Sequence, residues 1–211
     1  MKEKDNKSFW QRFAKLYPKF MERNLELYDG LCKDISKKLH PEMRVLELAC
    51  GTGQLSFPLA PFVKSYVATD FSEAMINEAK KLKAPDNLEF FVEDAGKLSY
   101  SDDSFDAVII SNALHIMPQP EKALSEIKRV LKKDGVLFAP TFTNGSGMLF
   151  KLRTSVMSLA GFKVFHKWDD RELAEFLEKN GFAVKVSNMR GNKMFPLCYI
   201  EAEKAQKASE A

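Results

Sequence analysis

The 211-residue chain has few cysteines and no long apolar run. Its three cysteines, Cys32, Cys50 and Cys198, are odd in number and far apart, so they fit neither a disulfide framework nor a paired zinc pattern. No apolar run approaches the roughly 18 residues that a membrane-spanning helix needs, and the charged start of the chain does not resemble a signal peptide. We therefore expect a protein of the cytoplasm, without a metal site and without a transmembrane segment.

A marked excess of one charge sign is also missing. Lys and Arg total 32 and Asp and Glu total 29, which gives a formal net charge of +3. Both signs are interleaved along the chain, which argues against a nucleic-acid-binding surface. Hydrophobic residues make up 45% of the chain, enough to form the core of one sizeable domain spanning residues 1–211.

The order of apolar patterns predicts an α/β fold. Apolar positions three and four apart predict helices over residues 1–40, divided at Pro18. From residue 43 to 142, short apolar strands alternate with helices, which is typical of a mainly parallel sheet with helices on both faces. The predicted strands are 44–49, 65–69, 88–93, 105–110 and 135–141, and the predicted helices are 54–60, 72–82 and 121–131.

The C-terminal third divides into two predicted parts. Residues 143–168 are predicted to form a second amphipathic helical insertion, inside a stretch without any acidic residue. A helix capped by Asp169 or Asp170 follows and ends at Gly181. Predicted strands 182–187 and 195–202, separated by residues 190–192, would then form an antiparallel hairpin at the sheet edge.

The loop after the first predicted strand carries the clearest functional signal. Gly51 and Gly53 lie between that strand and a helix, where glycines allow a ligand to approach backbone N–H groups. Asp70, 19 residues after Gly51, has the spacing of a carboxylate that binds a ribose diol. However, Ser56 replaces the third glycine of the dinucleotide fingerprint, and an inward-facing Glu47 would repel a pyrophosphate. The pattern thus favours a cationic cofactor without phosphate, such as S-adenosylmethionine (SAM).

Four stretches of the chain resemble one family in order and spacing. They are VLELACGTG, VATDFSEAM, EDAGKLSYSDDSFDAVIISNALH and EIKRVLKKDGVLFAPT, and together they cover about half the chain. The region from about 43 to 142 resembles a class I SAM-dependent methyltransferase of the UbiE-like, small-molecule type (a methyltransferase type 11 domain). The resemblance implies a Rossmann-like, seven-stranded, mainly parallel sheet with an antiparallel edge hairpin and an N-terminal helical cap. Two departures are Ala49, where many members have glycine, and Ile116, where many repeat the histidine at 115.

The resemblance also implies cofactor contacts. Glu47, Ala49 and the backbone from Gly51 to Gly53 would hold the methionine end of SAM, and Asp70 would bind the ribose hydroxyls. The remaining implied contacts are Phe71 and Met75 with the adenine, Asp94 and the Ala95 N–H with the adenine amino group, Ser111 and Asn112 near the transferring methyl, and Tyr17 closing over the cofactor. From the residues alone, Asp70 and Asp94 could instead cap helices, and Phe71 and Met75 could be helix packing.

Residues outside the predicted sheet would form the acceptor pocket. His115, in the loop after the fourth strand, is the candidate general base if the acceptor must lose a proton, although a structural histidine is the alternative. The insertion 143–168 and the N-terminal helices would form the lid of this pocket. The expected apolar lining is Tyr17, Phe20, Met148, Phe150, Met157, Phe162, Phe165 and Trp168. The basic residues Lys151, Arg153, Lys163 and Lys167 allow an anionic or lipid-like acceptor, or peripheral contact with a membrane.

These observations favour transfer of a methyl group from SAM to a small, apolar or aromatic acceptor by a monomer or homodimer. An RNA or protein methyltransferase and a non-catalytic SAM-binding subunit stay open as alternatives. A DNA amino-methyltransferase is disfavoured because Ser111-Asn-Ala-Leu114 replaces the Pro-Pro motif of that class, and an oxidoreductase is disfavoured by Glu47 and Ser56.

Overall fold

The computed structural model describes residues 6–143, 161–192 and 195–206. Most of the predicted insertion, including Met148, Phe150 and Met157 and the cations Lys151 and Arg153, therefore lies outside the described residues. The assignment of residues 143–168 as a lid, like the division of the chain into four regions, stays a prediction.

One mixed sheet organises the described chain. Its strands are β1 (Arg44–Leu48), β2 (Ser65–Asp70), β3 (Leu88–Val92), β4 (Phe105–Ile110), β5 (Leu131–Phe138), β6 (Thr141–Phe142), β7 (Phe182–Asn192) and β8 (Phe195–Lys204). The order across the sheet is β3-β2-β1-β4-β5-β8, and β7 pairs with β8 on its outer side. Strands β1 to β5 are parallel, whereas β8 runs antiparallel to both β5 and β7. The fold class predicted from the sequence is confirmed.

The fifth strand is interrupted near its end. The short β6 pairs with the same strand, β8, as β5 does, and Pro140 lies between the two segments. Proline has no N–H to donate to the ladder, so the strand is broken there and then resumes. With β6 counted as the continuation of β5, the sheet has the predicted seven strands.

Two sequence-based boundaries were wrong. Strand β5 begins at Leu131, directly after the preceding helix ends at Val130, so Lys132 and Lys133 lie in the strand. Residues 190–192, predicted to connect the edge hairpin, are themselves paired with residues 195–197. The paired strands therefore extend further than the hydrophobic pattern indicated.

The helices are α1 (Lys7–Phe13), α2 (Tyr17–Met21), α3 (Leu25–Ser36), α4 (Ser56–Leu59), α5 (Glu73–Ala79), α6 (Pro120–Val130) and α7 (Asp170–Lys179). Pro18 lies in the first turn of α2 and does not divide the N-terminal helices as expected. A proline is tolerated there because the first N–H groups of a helix have no intrahelical acceptor. Asp169 caps α7 with a reciprocal bond pair to Glu172, as one of the two predicted caps.

The two faces of the sheet carry separate apolar clusters. Val45 of β1 packs in the cluster on the face of α3, α4 and α5, while Leu46 and Leu48 pack in the cluster on the face of α6 and α7. Side chains alternate along a strand, which places Glu47 on the same face as Val45. The one acidic residue of β1 therefore lies beneath the cap helices.

No helix in the described part of the chain has the length and apolar character that crossing a bilayer requires.

Candidate functional site

The glycine loop, which we define as residues 49–55, joins the carboxyl end of β1 to α4. Ala49, Gly51 and Gly53 have φ angles of +53°, +58° and +90°. A Cβ added to Gly51 would lie 3.0 Å from the ring of Tyr17, and one added to Gly53 would lie 2.7 Å from the ring of Phe57. Glycine is thus required at both positions, because φ is positive and because a Cβ would lie too close to a neighbouring ring. Ala49 has a left-handed conformation that glycine would adopt without strain.

Glu47 is buried beside this loop. Its Oε2 accepts hydrogen bonds from Ser56 Oγ (2.5 Å) and from the Tyr66 hydroxyl (2.9 Å), and the residue is 2% exposed. Burial raises the pKa of Glu47 to about 7, although both hydrogen bonds act in the opposite direction. Ser56, which stands where dinucleotide-binding loops have a third glycine, therefore has a function of its own as a hydrogen-bond donor to Glu47.

Asp70 connects the glycine loop to the loop after β2. Its Oδ2 accepts from the Gly51 N–H (3.0 Å), and its Oδ1 accepts from the Ser72 N–H (2.8 Å). Burial raises the pKa of Asp70 to about 6, against the effect of these two N–H donors. The helix-capping alternative for Asp70 is wrong, because the side chain that caps α5 is that of Ser72, which accepts from the Met75 N–H. Two buried carboxyl groups thus lie at one end of the parallel strands.

The residues predicted to contact adenine differ in exposure. Phe71 is half-buried, with the Lys7 ammonium 6.0 Å from its ring centroid, while Met75 is only 2% exposed. Asp94 is exposed, and its Oδ1 accepts from the Gly96 N–H, whereas the following Ala95 is buried. These residues follow the ends of β2 and β3, two neighbouring strands. Their roles stay predictions.

Asn112, just beyond β4, connects three elements. Its Nδ2 donates to the Tyr28 hydroxyl of α3 (2.8 Å) and also approaches Ser111 Oγ (3.3 Å), while its Oδ1 accepts from the Phe142 N–H (2.9 Å). Tyr28 is buried, which raises the pKa of its hydroxyl to about 12, although the bonds to Asn112 and Ser111 act in the opposite direction. The sequence analysis predicted only that the segment containing Tyr28 is helical. The available signal was its hydroxyl, since a buried tyrosine O–H usually has a partner.

Above these strand ends lie Asn6, α1, α2 and residues 161–168, which we call the roof. Tyr17 of α2 packs edge-on against Trp10 (5.6 Å between centroids), and Trp10 packs against Phe162 in the same way (5.6 Å). The pKa of the Tyr17 hydroxyl is well above its usual range, first because of burial and then because of Tyr28, Asp70, Cys50 and Glu47 nearby. The structure thus places Tyr17 directly over the glycine loop.

Hydrogen bonds join the roof to the turn Leu114–Ile116 after β4. The buried side chain of Asn6 donates from Nδ2 to the carbonyl oxygens of Ile116 (3.0 Å) and Lys163 (2.8 Å), and its Oδ1 accepts from the Lys163 N–H (2.8 Å). The carbonyl of His115, a residue 9% exposed, accepts from the N–H groups of Phe165 (3.0 Å) and His166 (3.1 Å). Sequence reasoning missed Asn6, because an asparagine before a helix predicts only a local cap.

The structure therefore brings most of the predicted site residues to one end of the sheet. The ends of β1 and β2 are surrounded by two buried carboxyl groups, a glycine loop with positive φ and Tyr17 of the roof. In the residues described, no group of three His, Cys, Asp or Glu side chains could hold a metal ion. Such a site suits a ligand with positive charge, because a cation favours the ionised forms of two carboxyl groups whose pKa values burial raises.

Comparison with known proteins identifies the family. Residues 46–139 match the model of a methyltransferase domain family. A demethylmenaquinone methyltransferase of Lactobacillus johnsonii is 32% identical over 201 residues, covering 81% of this chain and 82% of the relative. A demethylmenaquinone methyltransferase of Clavibacter sepedonicus is 46% identical over 93 residues, which cover 44% of this chain. The match spans only 38% of the length of that relative.

Solved structures share the fold. A chain solved in complex with the Haloferax volcanii Trm112 methyltransferase activator superposes with a TM-score of 0.80 at 17% identity, covering 97% of this chain and 99% of that one. Magnesium protoporphyrin IX methyltransferase of Synechocystis, with bound S-adenosylhomocysteine (SAH), gives a TM-score of 0.67 at 19% identity, covering 86% and 84%. At these identities the likeness concerns the fold alone.

The fold and the family match define a class I methyltransferase. With the sequence matches, the chain belongs to the UbiE-like, SAM-dependent members of that class. The family, the fold class and the cofactor predicted from the sequence are thereby confirmed.

Proposed function

We propose that this protein transfers a methyl group from SAM to a ring carbon of a small, oxygen-bearing aromatic acceptor of the quinol type. The relatives named as demethylmenaquinone methyltransferases and as a ubiquinone/menaquinone C-methyltransferase of Campylobacter jejuni support this substrate class. The observation that carries the choice of cofactor is the pair of buried carboxyl groups, Glu47 and Asp70, at the glycine loop.

The carboxyl pair favours a cationic nucleoside. Ionised Glu47 would attract the positive charges of the methionine end, and Asp70 would accept bonds from the ribose hydroxyls. A pyrophosphate at the same loop would add negative charge beside two acids and is disfavoured. Gly51 and Gly53 let the loop adopt positive φ angles at the carboxyl end of β1, and the Tyr17 ring packs against Gly51. Phe71, Met75, Asp94 and Ala95 would hold the adenine in this proposal.

When bound, the cofactor supplies a methyl group on a sulfonium, which makes the carbon electrophilic without help from a metal. The protein must align the acceptor and exclude water. Asn112, fixed by Tyr28 and Phe142, would orient the methionine end together with Ser111. His115 would take the proton that a quinol hydroxyl loses as its ring carbon is methylated.

Binding and turnover test this proposal separately. SAH at 100 times its Kd should raise the melting temperature, because binding to the native state alone stabilises by about 2.7 kcal/mol. NADH at equal concentration should have no effect. Labelled SAM with 1,4-naphthohydroquinone should then give a C-methylated product, with turnover reduced at least about 10-fold in His115→Ala at unchanged SAH affinity. Stabilisation by NADH and none by SAH would contradict the cofactor, and labelled product only from RNA or protein in extract would contradict the acceptor.

Contact with a membrane is a separate proposal. Of the basic residues in the predicted insertion, Lys163 and Lys167 lie in the described part of the chain and are exposed. The positive charge of these lysines, together with a lipid-like acceptor, favours transient association with anionic bilayers. Sedimentation with vesicles containing phosphatidylglycerol at low salt measures it, and absence of binding would exclude it.

A further inference from the structure

The roof carries a second imidazole close to the backbone of His115. The peptide N–H of His166 donates to the carbonyl oxygen of His115 (3.1 Å), and the neighbouring Phe165 N–H binds the same oxygen (3.0 Å). Residues 165 and 166 are thereby fixed against the turn Leu114–Ile116, which follows the end of β4. This is the side of the site where the methyl acceptor is proposed to bind.

Stacking holds the ring of His166 in place. Its ring lies almost parallel to that of Trp168, with centroids 4.8 Å apart and an interplanar angle of 10°. Trp168 stacks in turn on Phe176 of α7 (4.5 Å, 26°). The orientation of the imidazole is thus determined by flat aromatic contact with a side chain that is itself anchored on a helix.

One polar atom of this ring lacks a partner. Nε2 of His166 is buried and makes no hydrogen bond with any residue that the structure describes. A buried polar atom without a partner destabilises the folded protein, and most such atoms in native proteins are satisfied. Stacking alone would be served equally well by an apolar aromatic side chain. The nitrogen is therefore available to a bonding partner outside the described chain.

We propose that His166 binds the methyl acceptor, with its Nε2 hydrogen-bonded to an oxygen atom on the acceptor ring. This inference rests on the proposed function, in which the acceptor is an aromatic ring with hydroxyl or carbonyl oxygens. An imidazole nitrogen suits both forms, since it accepts from a hydroxyl when unprotonated and donates to a carbonyl when protonated. His166 is thus a binding residue, distinct from His115 as the proposed base, and it determines specificity for oxygen-bearing rings.

The variant His166→Phe separates binding from structure. Phenylalanine retains a flat ring for stacking on Trp168 and removes the unpartnered nitrogen. The melting temperature of the protein without ligand should rise by about 2–4 °C, because a buried unsatisfied atom is lost. The affinity for 1,4-naphthoquinone, followed by quenching of tryptophan fluorescence, should fall about 5- to 10-fold, because a hydrogen bond to the ligand is lost. The affinity for SAH should be unchanged.

Two further variants complete the design. His166→Gln retains a side chain that can hydrogen-bond and should recover part of the naphthoquinone affinity, even if phenylalanine does not fit. The control His40→Gln changes an exposed histidine ahead of β1 and should alter neither melting temperature nor binding. In turnover with naphthohydroquinone, His166→Phe should raise KM with little change in kcat, as expected for loss of ground-state binding.

The outcomes distinguish this inference from the proposed function. Equal naphthoquinone affinity in the wild type and in both His166 variants would overturn the role of His166 and leave the proposed acceptor class intact. If the wild type binds SAH but no naphthoquinone, the acceptor class and this inference both fail, while the cofactor assignment stands. A fall in melting temperature with no recovery of affinity in His166→Gln would show a structural histidine and would also overturn the inference.

Discussion

The glycine loop and the roof face each other across the candidate site, but different kinds of interaction build them. In the glycine loop, the relevant residues are close in sequence or end neighbouring parallel strands, as with Glu47, Gly51 and Asp70. In the roof, Asn6 binds residues 110 and 157 positions away, and Phe162 packs on Trp10. The comparison teaches that the proposed cofactor side is encoded locally, whereas the proposed acceptor side is assembled by long-range contacts.

Removing the Asp70 carboxylate should produce the largest effect on the cofactor end. Asp70→Ala leaves the N–H groups of Gly51 and Ser72 without their acceptor, so we expect a loss of about 2 kcal/mol in unfolding free energy. The affinity for SAH should fall at least about 10-fold. Urea unfolding and calorimetric titration measure these effects. Asp134→Ala, at an exposed position of β5, is the matched control and should change neither quantity.

If Asp70→Ala binds SAH as tightly as the wild type, the carboxylate holds only the two loops together. The comparison would then need revision, because the glycine loop would depend on Asp70 for its shape and not for ligand contact.

Loosening the roof should affect ligand release more than ligand affinity. Asn6→Ala removes the three hydrogen bonds of a buried side chain, so the dissociation rate of SAH should rise about 5- to 10-fold, with a loss of roughly 1–2 kcal/mol in stability. Stopped-flow displacement measures the rate, and hydrogen exchange of residues 161–168 reports the opening. Asn77→Ala, exposed on α5, should leave both unchanged. An unchanged SAH dissociation rate in Asn6→Ala would show that the roof does not cover the cofactor.

The raised pKa values of the two buried carboxyl groups beside the glycine loop predict that stability and SAM affinity both depend on pH. Glu47 and Asp70 have folded-state pKa values raised to about 7 and about 6, above those of the unfolded chain. Between roughly pH 4 and pH 7 the unfolded chain ionises first and binds fewer protons, so the stability of the ligand-free protein should decrease as pH rises. The affinity for SAM should increase several-fold over pH 5.5–7.5, because binding the cation favours the ionised carboxylates.

Thermal melts and titrations across this pH range measure both trends. Glu47→Gln should flatten the upper part of each profile, since its side chain does not ionise. A ligand-free stability that rises steadily from pH 5 to pH 7 would contradict the proposed protonation of the pair.

The smallest expected effect concerns Ala49. Its φ of +53° places the backbone in the left-handed region. This conformation costs about 1 kcal/mol for a residue with a Cβ, whereas glycine adopts it freely. Ala49→Gly should therefore raise the unfolding free energy by about 0.5 kcal/mol. Ala60→Gly, at a buried right-handed position, should instead destabilise by roughly 1 kcal/mol. Destabilisation by Ala49→Gly would indicate that the alanine methyl contributes packing that outweighs the strain.

Most of the sheet could be predicted because apolar strands separated by glycines and helical stretches leave few topologies. The errors of the sequence-based prediction lie where local signals compete. Lys132 and Lys133 favour a helix end by charge, yet pairing with β4 draws Leu131 and the residues after it into β5. Pro18 marks a helix start and not a break, because its missing N–H has no cost in a first turn. In each case, tertiary pairing or position within the turn outweighed propensity.

The sequence by itself determined the cofactor class, since Glu47, Gly51, Gly53 and Asp70 are specified by spacing along β1, its loop and β2. Only the tertiary structure placed Tyr28 beside Asn112, Asn6 against Lys163 and His166 against the turn after β4. The physical reason is the range of the interactions. Strand ends in a parallel sheet bring motif residues together by a repeating geometry, whereas contacts between distant segments depend on how helices and loops pack and leave no regular spacing in the chain.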